Sequence, residues 1–191
     1  MRATLIAVVA LMLSTSVSGA QFPPERATNL QVLPKSISMD SLVSVMGAFT
    51  RALGVRCSHC HVQREGQTFE QINFALDENP KKNTARAMLR MVAAINADHI
   101  ARLDNRRQPE IRVTCATCHR GVVEPRPLQQ VLLNTYVVAG ADSTDAVYKA
   151  LRERYYGSGS YDFGEVPLSD LAGAMAARGE LEEGICFPRV N

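Results

Sequence analysis

Two pentapeptides constrain this 191-residue chain more than anything else in it: Cys57-Ser58-His59-Cys60-His61 and Cys115-Ala116-Thr117-Cys118-His119. Both have the spacing Cys-x-x-Cys-His. Thiols separated by two residues can add across the two vinyl groups of one porphyrin, and the adjoining imidazole can then turn beneath the ring to ligate its iron. Each copy therefore predicts one covalent c-type haem, the first bonded to Cys57 and Cys60 with His61 on iron, the second bonded to Cys115 and Cys118 with His119 on iron. The competing chemistries are a zinc site built from all four thiols, or a pair of disulfides. Neither needs a histidine directly after the second cysteine of both pairs, and both pairs have one.

The chain opens on Met1-Arg2, runs almost wholly apolar over residues 3–13, and turns to small polar residues ending Val17-Ser18-Gly19-Ala20. This is the form of a secretory signal peptide, with cleavage expected after Ala20. The apolar run is shorter than the roughly 20 residues a bilayer span requires. Export to the periplasm suits thiols that must meet porphyrin outside the cytoplasm. Removing 20 of 191 residues leaves 171, enough for one compact domain with or without a small appendage. Without Arg2, 20 Lys and Arg face 19 Asp and Glu. Two haems would add about four propionate charges, so the holoprotein is mildly acidic and no nucleic-acid partner is expected.

Residues 21–37 carry three prolines and no periodic pattern, and read as an extended arm. From Ser38 the pattern changes: Leu42, Val45, Met46, Phe49 and Leu53 recur at helical spacing on one face, with Ser38 able to cap the start and Gly54 the end. Met46 sits centrally on that face, where its thioether can either fill the core or reach iron from the side opposite His61. After a polar link containing a short helical turn near residues 69–74, a second helix is expected from Asn83 or Thr84 to about Leu103. Met88, Val92, Ile95 and His99 share one stripe of it, within about 60° of each other, and Met91 lies at the edge. A helix with a central methionine, a link and Cys-x-x-Cys-His thus occurs twice, as in a duplicated unit. Met88 leads as the sixth ligand of the second iron, with Met91 and His99 as alternatives. Arg102, Arg106 and Arg107 read as a solvated basic face or as partners for haem propionates.

Several stretches together resemble the cytochrome c subunit family of the photosynthetic reaction centre. They are Asn29-Leu30-Gln31-Val32-Leu33-Pro34, Met46 with Phe49-Thr50, Leu53-Gly54-Val55-Arg56-Cys57, Ala85-Arg86-Ala87-Met88-Leu89-Arg90-Met91, and Val113-Thr114-Cys115 through His119-Arg120-Gly121. The resemblance covers about residues 27–127. It implies that Met46 and Met88 are the sixth ligands of the two irons. Family members that serve a reaction centre typically hold four haems, whereas this chain has two motifs, so photosynthetic and respiratory roles both stay open.

The expectation is an all-α, multihaem cytochrome c: a signal peptide over residues 1–20, an arm over 21–37, a di-haem domain over 38–127 and a helical appendage over 128–191. In the appendage, residues 128–138 are mostly apolar, residues 143–155 and 169–178 read as helices forming an αα-hairpin, and Cys186 reads as a buried or free thiol. The expected function is one-electron transfer between redox proteins, including a membrane-bound photosynthetic or respiratory complex, with no small-molecule substrate. The alternatives are a di-haem peroxidase with one open axial site and a zinc-stabilised binding module.

Overall fold

The computed structural model describes residues 26–104 and 110–179. The expected signal peptide, Arg106, Arg107 and Cys186 lie outside the described residues. Every regular element among the described residues is helical, in agreement with the all-α expectation.

Helix α1, Met39–Leu53, begins and ends where its side chains dictate. The Ser38 hydroxyl accepts a hydrogen bond from the Ser41 N–H at 3.2 Å, satisfying one orphan donor of the first turn. At the other end Gly54 adopts φ 65° and ψ 33°, and the Val55 N–H reaches back to the Thr50 carbonyl at 3.1 Å. That six-to-one bond closes the helix and releases the chain directly into the first cysteine pair.

Helix α2 covers Lys81–Ala94. It starts ahead of Asn83 and Thr84, the residues expected to cap it. The Asn79 side-chain oxygen accepts from the Lys81 N–H at 3.0 Å, and the Pro80 carbonyl accepts from Asn83 and Thr84 at 3.0 and 3.3 Å. Proline with its fixed φ begins a helix readily, which draws the boundary forward. Beyond Ala94 the helix widens into a π turn, Ile95–His99, and tightens into a 3₁₀ turn, Ile100–Arg102.

The start of α2 is held by a polar clasp. Asp77 pairs with Arg86 at 2.7 Å and Lys82 at 3.1 Å, and Gln31 from the N-terminal arm donates to it at 3.1 Å. Asn29, at φ 61°, donates to the Ala75 carbonyl at 2.6 Å. Hydrogen bonds from Arg86, then from Asn29, with Lys82 adding its charge, hold the Asp77 carboxyl well below the usual carboxylate range.

The short helix α3, Cys115–His119, is followed by α4, Leu128–Tyr155, and α5, Glu165–Ala177. Helix α4 joins the apolar run and the helix expected after it, bending at Gly140, where φ 78° and ψ −176° interrupt the helical path. Helix α5 begins four residues before the expected Ser169, because Pro167 falls in its first turn, where no intrahelical N–H is required. The most thoroughly buried apolar cluster lies here: Leu128, Leu132, Tyr148, Leu171 and Met175 pack together, each 2% exposed or less. The segment expected as an appendage thus carries the tightest packing in the described chain.

Candidate haem-binding site

Each cysteine pair is presented by a single tight turn. In the first, Cys57–His59 forms a 3₁₀ turn in which the Cys60 and His61 N–H groups both donate to the Cys57 carbonyl, at 3.2 and 3.0 Å. The Asn79 side chain donates to the His59 carbonyl at 3.0 Å, tying the turn to the foot of α2. In the second, the Thr114 N–H donates to the Thr117 hydroxyl at 2.9 Å and starts α3. Arg120 and Gly121, with φ 48° and 88°, then reverse the chain directly after His119.

The histidines are oriented by their surroundings. His119 Nδ1 lies 3.0 Å from the Val122 carbonyl, which assigns its proton to Nδ1 and leaves Nε2 as the free donor atom. His61 packs edge-on against Phe74, with ring centroids 4.9 Å apart, and its Nδ1 is buried without a hydrogen bond of regular geometry. Burial pushes the His61 pKa down and the Lys82 charge adds to this, while a backbone bond with Phe74 opposes both. The neutral imidazole that ligates a metal is therefore favoured. Burial pushes the Cys60 thiol up, against the opposing charges of Lys81 and Lys82.

The candidate sixth ligands are placed on two elements. Met46 is half-buried on α1, which packs against α3. Met88 and Met91 lie on α2 and are 38% and 45% exposed, and His99 is exposed in the π turn. The two halves meet backbone to backbone: the Gly121 N–H donates to the Ala52 carbonyl at 2.8 Å, beside Gly54. A groove of about 410 Å³ opens next to that junction, lined by Leu53, Val55, Val122, Leu151, Tyr155 and Tyr161 among others.

These residues fit a porphyrin. Cys57, Cys60, Cys115 and Cys118 are free thiols, and among the described residues no three His, Cys, Asp or Glu are grouped as a metal cage would need. Each turn instead pairs two thiols with one histidine. Large apolar side chains stay exposed on α1, on α2 and in the links beside the two turns, among them Val43, Phe69, Leu76, Met88, Met91 and Ile111. The sequence did not single out Asn79, Lys82 or Asn96, whose side chains bond backbone around the turns. Asn29 and Gln31, both within the stretch that carries the family resemblance, bring the arm into the clasp.

Residues 16–138 match the family model described as photosynthetic reaction centre cytochrome C subunit. Cytochrome c-554 of Chloroflexus aurantiacus is 37% identical over 99 residues, which cover 52% of this chain and 21% of that protein. The photosynthetic reaction center cytochrome c subunit of Thermochromatium tepidum is 34% identical over 103 residues, 51% of this chain and 21% of that protein. The chain thus spans about a fifth of the length of these curated relatives. No solved structure matches it.

Proposed function

The chain belongs to the photosynthetic reaction centre cytochrome c subunit family, and from that premise we propose that it is an exported di-haem cytochrome passing single electrons between redox proteins. Cys57 and Cys60 hold one haem and Cys115 and Cys118 the other. His61 and His119 would each supply one ligand to an iron and Met46 and Met88 the other, with Met91 or His99 in place of Met88 as the alternatives. Residues 38–127 form the haem domain, and residues 128–179 pack beside it. Residues 1–20 direct the chain to the periplasm, where its partner is a membrane-bound photosynthetic or respiratory complex. Among the described residues no helix is long and apolar enough to cross a membrane.

The observation that carries this reading is the hydrogen bond from His119 to the Val122 carbonyl, which leaves Nε2 free on a histidine next to the Cys118 thiol and one turn from that of Cys115. A histidine held this way would offer Nε2 to the iron of a haem joined to those thiols. When bound, the haems supply the one-electron chemistry. Each cysteine pair would hold one haem covalently, the histidines would be oriented by the contacts around them, and the apolar side chains of α1 and α2 would help to exclude water. Methionine together with histidine as iron ligands would raise the potential relative to two nitrogen ligands.

The reading is tested by alkaline pyridine spectra of the purified holoprotein and of Cys57→Ala. Two haems in the parent and one in the variant are expected. An unchanged haem content in Cys57→Ala would overturn the attachment assignment.

A further inference from the structure

The amide of Asn96, in the π turn of α2, grips the segment that leads into the second cysteine pair. Its Nδ2 donates to the Val113 carbonyl at 2.8 Å, and its Oδ1 accepts from the Val113 N–H at 2.9 Å. The same Nδ2 also donates to the Val92 carbonyl at 2.9 Å, within its own helix. Both donors and the acceptor of the amide are thus in use, and the side chain is half-buried. Bonding the N–H and the C=O of one residue together fixes distance and rotation, as a bridge between two strands does.

We propose that Asn96 is a positioning residue for the second haem, holding α2 and the sixth-ligand methionine on it in register with Cys115, Cys118 and His119. The inference rests on the electron-carrier reading given above. The first unit needs no such clamp, because only Gly54, Val55 and Arg56 separate α1 from Cys57. In the second unit residues 103–114 intervene between the last helical turn and Cys115, and a link of that length leaves the helix free to shift unless something else holds it. Asn96 supplies the hold. The π turn that carries it is a local widening that helices rarely keep without a use for it. With Asn79 bonded to the His59 carbonyl at its foot, α2 is a rod anchored beside the first cysteine pair at one end and the second at the other. Met88 lies between the two anchors, so a small tilt of the rod would displace its sulfur from a bound iron.

The test uses the haem-loaded protein and the variants Asn96→Ala and Asn96→Asp, compared by intact mass, redox titration and the sulfur-to-iron absorption band of the oxidised form. In Asn96→Ala both haems remain attached, one of the two reduction waves falls while the other stays in place, and the band loses the share contributed by one iron. Asn96→Asp keeps the acceptor but sets a carboxylate oxygen against the Val113 and Val92 carbonyls, so the same wave falls at least as far. Should Asn96→Ala fail to accumulate, Asn96→Asp decides by the same readouts. A folded, haem-loaded variant with both waves and the full band unchanged overturns the assignment, as does an equal shift of both waves. A parent protein whose mass shows no porphyrin on Cys115 and Cys118 sinks the electron-carrier reading itself, and the assignment with it.

Discussion

Gly54 has the least freedom to change of any residue near the site. Its φ of 65° lies in the left-handed region, and a Cβ at that position would lie 2.1 Å from the Gly121 carbonyl oxygen, a backbone atom that cannot swing aside. Gly54→Ala should therefore cost at least about 1–2 kcal/mol from the backbone conformation alone, read as a lower denaturation midpoint. Gly54→Asn separates the two causes, because asparagine tolerates that φ but still carries the Cβ; a variant as stable as the parent would contradict the close contact. Met46→Ala should leave both haems attached, lower one potential and open one axial site to added cyanide, and unaltered redox behaviour would remove Met46 from the ligand set. At this scale the sequence was readable wherever the signal is local. Ser38 and Gly54 act as the caps their residue types suggest, since capping involves only neighbouring backbone. Asn96 was not readable, because an amide within an amphipathic helix looks like any solvated residue until Val113, 17 positions away, is brought to it.

The elements are joined by two kinds of contact that respond to different conditions. The clasp of Asp77 with Arg86 and Lys82 ties the arm and the link to α2 through charge. Because the Asp77 pKa is depressed in the folded state, its contribution is present above the unfolded carboxylate value of about 3.9 and is lost as pH falls through the lower folded value. Asp77→Asn should accordingly melt at a lower temperature than the parent at neutral pH, with the difference closing under strong acid; a difference that persists unchanged in acid would argue against the charge pairing. Helices α4 and α5 are joined by apolar packing instead. Leu132 is fully buried among Leu128, Tyr148, Leu171 and Met175, so Leu132→Ala should cost about 2–5 kcal/mol in chemical denaturation. The expected helices are all present; the one expected from residue 143 joins the apolar run before it across Gly140, and two other starts moved at proline. Pro80 draws the start of α2 forward and Pro167 that of α5, since proline at a helix start is compatible with the fold while reading locally as a break.

Across the whole molecule the two parts of the chain differ in what closes them. Helices α4 and α5 bury a cluster of their own, whereas residues 38–127 bury only Ala52, Ile72 and Val122 comparably among the described apolar residues. Their charge differs as well: residues 26–127 hold 15 Lys and Arg against 9 Asp and Glu, and residues 128–191 hold 5 against 9. The propionates of two haems, about four negative charges, would offset most of the basic excess in the first part. The Ser160 hydroxyl donates to the Arg120 carbonyl at 2.5 Å, latching the second part to the turn that follows His119. This distribution of packing was not legible in the sequence, because apolar content alone does not tell which faces close on each other and which wait for a ligand. The two cysteine motifs were legible outright, and the account depends on them. The most direct measurement is the intact mass of the denatured, purified holoprotein. Two porphyrins retained per chain, falling to one in Cys57→Ala or Cys115→Ala, is the predicted result. A chain with no retained porphyrin, or with these thiols joined to one another, would contradict it.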